Sequence, residues 1–105
     1  MDTSSQTWAS GSWVVRAGSE DDFVERWKAW LSWTSQNAPG FRSATLVRSE
    51  DDGRHFASFS DWDDADSRAQ WQRTDDFRAK MGAVRELCDD VQAGNFEAAA
   101  SFSRS

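Results

Sequence analysis

The sequence predicts an α+β domain of ferredoxin-like order, β-α-β-β-α-β, with one four-stranded antiparallel sheet. Three observations predict it. Two alternating segments, 41–49 and 54–62, flank Glu50-Asp51-Asp52-Gly53, whose Asp-Gly step is a hairpin signal. Two stretches with apolar residues three and four apart, beginning near Glu20 and near Asp75, lie on either side of that hairpin. A β-branched, aromatic segment precedes the first stretch and an alternating segment follows the second, which completes the split βαβ pattern.

The elements follow in order. Residues 1–10 are rich in Ser and Thr without periodicity and are read as an irregular segment or an extension of the first strand; residues 11–105 form a single domain. Trp13, Val14 and Val15 make strand one, between Gly11 and Ala17. Ser19, with Glu20, Asp21 and Asp22 behind it, is the expected N-cap of a helix whose acids complement the positive end of the dipole. Phe23, Trp27, Trp30, Leu31 and Thr34 form its inward stripe, Trp33 sits at its rim, and Asn37-Ala38-Pro39-Gly40 ends it. Asp63 is expected to cap a short helix over 64–73 with Ala65, Ala69 and Trp71 inward. Thr74 starts a fresh helix carrying Phe77, Met81, Val84 and Cys88 on one face. Phe96, Ala98, Ala100 and Phe102 alternate with Glu97, Ala99 and Ser101 as an edge or interface strand. Since helices cover one side of such a sheet, apolar residues on its other side predict a homodimer.

Composition excludes several functions. With 18 acidic and 12 basic residues the net charge is −6, a field that repels phosphate backbones, so no nucleic-acid partner is expected. No apolar run approaches the roughly 20 residues of a membrane span, and the N-terminus lacks a basic and an apolar region, so no membrane partner is expected and the location is read as cytoplasmic. One Cys and one His leave no multi-cysteine metal site. The acids Asp61, Asp63, Asp64 and Asp66 lack an EF-hand pattern, so no metal is expected. Seven Trp and seven Phe, with no Tyr, supply large rings for a core or for the walls of an apolar cavity.

Four local motifs occur in a telling order: Ala38-Pro39-Gly40-Phe41, Asp52-Gly53 before Phe56, Trp62-Asp63-Asp64-Ala65, and Trp71-Gln72-Arg73-Thr74-Asp75-Asp76-Phe77 followed by Met81. Over about residues 11–103 the chain thereby resembles the antibiotic biosynthesis monooxygenase family. The resemblance implies a dimeric α+β barrel with one cavity per subunit between helices and sheet. It also implies, for some members, oxidation of phenolic or anthrone-type polyketides to quinones by molecular oxygen without flavin or metal. Trp71 matches the family's cavity tryptophan. The haem-degrading branch has a histidine ten residues after that tryptophan and an asparagine in the first strand. Here Met81 stands at the first position and no Asn lies between Gly11 and Gly18, which argues against haem degradation. The quinone-forming branch uses an asparagine near the end of strand three or in the following turn, where this chain has Asp61, Asp63 and Asp64.

Cofactor-free oxygenation requires a base, an orienting donor and apolar walls. The candidates are Trp71 as an indole donor and stacking surface, and His55 or Asp61 as the base. Trp62, Trp27, Trp30, Phe77 and Met81 are the candidate substrate-binding walls. Each has a plainer reading: Trp27 and Trp30 as core, His55 as a surface or interface residue, Cys88 as a small buried hydrophobe. Strand parity sharpens the choice. Either the face with Phe56, Ser60 and Trp62 meets the helices, or the face with His55, Phe59 and Asp61 does, but not both. The expected function is a cofactor-independent monooxygenase acting on a small polycyclic phenolic or anthrone-type, polyketide-like aromatic, with O2 as co-substrate and no cofactor. The alternative is a non-oxygenase dimeric ligand-binding or cyclase-like protein of the same fold.

Overall fold

The computed structural model describes residues 6–104. Its elements are β1 (Thr7–Val15), α1 (Glu20–Asn37), β2 (Phe41–Arg48), β3 (His55–Trp62), α2 (Ala65–Gln72), α3 (Asp75–Arg85) and β4 (Cys88–Glu97). All strand pairs are antiparallel in the order β2-β3-β1-β4, the ferredoxin-like arrangement, with the second helical region split in two. The helices lie on one face. That face receives Trp13 and Val15 from β1, Phe56 and Trp62 from β3, Phe23, Trp27, Trp30 and Leu31 from α1, and Trp71, Val84 and Leu87 from the later helical region, which together form the core.

Helix α1 follows its apolar stripe: all five predicted inward residues are buried. Ser19 makes no side-chain cap bond. The carboxylate of Glu20 instead accepts the Gly18 N–H at 2.8 Å. Between α1 and β2 the chain turns at Gly40, whose φ of +86° disfavours any other residue and where an added Cβ would lie 2.4 Å from Ser67 Oγ. Asp63 N–H donates to the Gly40 carbonyl at 2.8 Å, so this turn and the start of α2 are fastened together. The hairpin between β2 and β3 spans the predicted acidic tetrapeptide. There Ser49 Oγ accepts the N–H groups of Asp51 and Asp52.

Several boundaries differ from the sequence expectation. Strand β1 starts at Thr7, so residues 7–10 extend it rather than forming an irregular segment, because they pair with both β3 and β4; residues 1–5 lie outside the described residues. Asp64, not Asp63, caps α2 by accepting the Ser67 N–H at 2.7 Å, which also holds its carboxyl below the usual range. Of the three residues predicted inward on α2 only Trp71 is buried. Helix α3 starts where predicted, with Thr74 Oγ1 accepting the Phe77 N–H at 3.0 Å. It ends at Arg85, so Cys88 opens β4 instead of closing a helix. The last strand is 88–97, not 96–102. Its ladder with β1 runs to Thr7–Glu97, and Ala98 N–H to the Gln6 carbonyl is the last bond among the described residues, which leaves Phe102 fully in solvent.

Candidate functional site

A cavity of about 260 Å³ lies between the sheet and the helices. The register of three strands makes it. On the helix-facing side Gly11 stands between Ser58 of β3 and Ala93 of β4, and Ala9 stands between Ser60 and Asn95, so small side chains floor the site in two adjacent rows. Opposite them Trp27, Trp30 and Leu31 of α1, Trp71 of α2, and Phe77 and Met81 of α3 supply the walls. Large rings over a floor of small residues leave space that neither layer fills. Gly11 has a second role. A Cβ there would stand 2.7 Å from the Trp13 indole, so glycine lets that ring lie across β1 and reach Ser58.

The aromatic wall is interlocked. Trp71 stacks on Trp30 with ring centroids 5.8 Å apart and 21° between planes, leans on Trp62 at 4.7 Å, and meets the edge of Phe77 at 4.7 Å. Hydroxyls hold the indoles in place. Trp13 Nε1 donates to Ser58 Oγ at 3.0 Å, Trp62 Nε1 to Ser60 Oγ at 2.9 Å, and Trp71 Nε1 to Thr34 Oγ1 at 3.2 Å. Trp30 Nε1 is buried without a partner among the described residues. Trp71 therefore offers the cavity a ring surface. Its N–H, expected from sequence to orient a ligand, is already committed to Thr34.

Of the predicted wall residues, Trp71, Trp27, Trp30, Phe77 and Met81 come together around the cavity. Trp62 does not line it; it lies behind Trp71, between that ring and Phe41. His55 and Asp61 are on the opposite side of the sheet. Phe56, Ser58, Ser60 and Trp62 are the buried, helix-facing residues of β3, and the two-residue period turns His55, Ala57, Phe59 and Asp61 away. His55 Nε2 lies 3.0 Å from Ser12 Oγ, and Asp61 lies 3.8 Å from Arg42 Nε on the rim, where Asp63 also approaches that guanidinium. The expectation that either serves as base beside Trp71 is thus corrected by strand parity. Among the described residues no ionisable side chain lines the cavity. Its helix-facing polar side chains are Ser58 and Ser60 on the floor and Gln72 and Asn95 toward α2 and β4, where Gln72 Nε2 donates to Asn95 Oδ1 at 2.7 Å; Ser10 of β1 also borders the cavity.

Sequence reasoning missed Gly11, Ser58, Ser60, Gln72 and Asn95. The one signal available was that Ser58 and Ser60 share the two-residue period of Phe56 and Trp62, placing small polar residues on an aromatic face. Among the described residues no group of three or more His, Cys, Asp or Glu is placed to hold a metal ion, and no helix is long and apolar enough to cross a membrane.

The sequence model described as antibiotic biosynthesis monooxygenase matches residues 11–83. The chain belongs to the antibiotic biosynthesis monooxygenase family. A search among proteins of curated function finds no match. Among solved structures, SnoaB of Streptomyces nogalater, a cofactor-independent oxygenase, superposes with a TM-score of 0.85 at 20% identity, covering 95% of this chain and 99% of SnoaB. An antibiotic biosynthesis monooxygenase-type protein of Bordetella bronchiseptica gives 0.79 at 19% identity over 91% of this chain and 99% of its own. One from Caulobacter crescentus gives 0.80 at 15% over 93% of each. These likenesses show the fold alone: proteins of distant sequence share this backbone. The family match, which spans β1 to α3, covers every wall residue named above.

Proposed function

We propose that this protein is a cofactor-independent monooxygenase that oxidises a flat phenolic or anthrone-type polycyclic aromatic, of the kind polyketide chemistry supplies, with molecular oxygen. The observation that carries the reading is a cavity walled by Trp30, Trp71, Trp27 and Phe77 and floored by Gly11, Ser58 and Ser60, a slot for a planar ring with oxygen on its edge. Family membership and the SnoaB backbone support the reaction type. No ionisable side chain lines the cavity among the described residues, so the substrate reacts as its enol tautomer, in which the proton lost from the methylene is carried on the ring oxygen. An anthrone methylene is acidic enough to pass through its enol form, which is electron-rich and can give an electron to O2 in a water-poor pocket. The stoichiometry closes without an external reductant: the CH2 group and one O2 become C=O and one water. The protein's work is to bind, orient and keep water out.

A homodimer belongs to this reading. The helix-free face of the sheet carries Trp8, Val47, Phe59 and Phe96, and Phe59 and Phe96 are 48% and 56% exposed, an apolar face that a second copy would cover. Cytoplasmic residence fits the single free thiol, Cys88.

The test is oxygen uptake by purified, metal-stripped protein on a panel of anthrones and naphthols. Quinone formation at one O2 per turnover, reduced by Trp71→Ala, is the expected result. The absence of ionisable groups from the lining specifically favours one alternative, a dimeric ligand-binding or cyclase-like module. Tight binding across the panel with no oxygen consumption would select it.

A further inference from the structure

Three buried hydroxyls hold the indoles around this site, and two of them pass their own proton on. Thr34 donates to the Trp30 carbonyl at 2.9 Å, and Ser60 is turned to the Ala9 carbonyl at 3.5 Å. Ser58 differs. It is 8% exposed, lines the cavity, and accepts the Trp13 N–H, yet among the described residues no acceptor takes up its own proton. A hydroxyl has one proton to give, and a buried donor left idle costs free energy, so such a group pairs with water or with a bound ligand that reaches it. The Trp13 N–H on Ser58 Oγ also polarises the hydroxyl and strengthens it as a donor.

We infer that Ser58 is a substrate-binding residue whose hydroxyl donates to an oxygen on the edge of the bound ring, selecting aromatic ketones and phenolates over ring systems without oxygen. The inference rests on the proposed reading of the cavity as an aromatic-binding site. Position supports it. Ser58 is the register partner of Gly11 in the floor and lines the cavity with it, beside the Trp13 indole, while the Gln72 amide already donates to Asn95. A neutral donor at this point binds a carbonyl and binds a developing enolate oxygen more strongly, without supplying a proton to it.

The experiment is anaerobic calorimetry with anthrone and 9,10-dihydroanthracene, which share the tricyclic frame and differ in the carbonyl. Wild type is expected to prefer anthrone. Ser58→Ala is expected to weaken anthrone binding roughly tenfold, one hydrogen bond's worth, and to leave dihydroanthracene within about twofold. Ser60→Ala should move the two affinities in parallel. Since Ser58→Ala strands the Trp13 N–H and could impair folding, the Trp13→Phe/Ser58→Ala pair is compared with Trp13→Phe alone, and only the pair should lose the preference. Parallel losses for both ligands, an unchanged preference, or no binding of either ligand to wild type would each overturn the inference. Oxygen uptake separates the two ideas. A Ser58-dependent preference without uptake supports the hydrogen bond and rejects the oxygenase, and uptake without that preference does the reverse.

Discussion

Thr34 Oγ1 accepts the indole N–H of Trp71 at 3.2 Å and returns its own proton to the Trp30 carbonyl one helical turn back. Through this one hydroxyl α1 sets the position of the wall residue that α2 contributes. Thr34→Val keeps the shape and removes both bonds, leaving a buried N–H unmatched. It should cost about 1–3 kcal/mol of stability, seen as a lower denaturant midpoint at constant m-value. Combining it with Trp71→Phe should cost less than the sum of the two single changes, since the second removes the group that the first strands. Strict additivity in the cycle would show that the contact carries no coupling.

Strand parity separates Trp71 from the titratable residues of β3. Under the proposed oxygenase reading, Trp71→Ala should lower kcat/KM for anthrone oxidation roughly tenfold or more by opening the wall. His55→Ala and Asp61→Asn should each stay within about twofold, because both side chains lie across the sheet from the cavity. A collapse of turnover in His55→Ala, with the fold intact by circular dichroism, would contradict this placement of the chemistry.

The exposed rings of Phe59 and Phe96 lie on the helix-free face, on β3 and β4 to either side of β1. If a second copy covers them, Phe59→Asp/Phe96→Asp should convert the sedimentation profile at micromolar concentration from dimer to monomer, because two carboxylates would have to be buried in an apolar contact. Wild type sedimenting as a monomer would remove the case for the dimer.

Cys88 is half-buried, and burial, helped by the neighbouring Asp89 carboxylate, pushes its thiol up to about 11. Alkylation at pH 8.5 should be several-fold slower in the folded than in the urea-unfolded protein, since the thiolate is the reacting form. The folded chain holds this proton to higher pH than the unfolded chain does. Its contribution to stability is therefore full below about pH 9 and lost as pH rises through about 11. Cys88→Ser should flatten the stability profile in that window. An unchanged slope there would assign it to other groups.

Elements with strong local signals were legible without coordinates. The five-residue stripe of α1, the acidic hairpin turn and the Thr74 cap each depend on neighbours within a few positions, so spacing and turn chemistry suffice. Adjacent capping acids were not separable. Asp63 and Asp64 are equally good residues, and the choice fell to the Gly40 carbonyl, which takes the Asp63 N–H and leaves Asp64 to cap α2. Periodicity also overran the C-terminal ends of the last helix and the last strand. Cys88 continues an apolar spacing that the backbone abandons at Arg85, and Phe102 continues an alternation that no partner strand supports.

The amino-acid order by itself determined which residues could form walls: Trp27, Trp30, Trp71, Phe77 and Met81 sit on apolar helical faces, and such faces must be buried wherever the helices dock. It also narrowed β3 to two mutually exclusive faces. Only the tertiary structure decided between them, by turning Phe56 and Trp62 toward the helices and His55 and Asp61 away. It alone built the cavity floor, since Ser58, Gly11 and Ala93 come from three strands and become neighbours through register. The physical reason is range. Burial of a helical stripe follows from local spacing, whereas a cavity exists where residues distant in sequence are collectively too small to fill the gap beneath large rings.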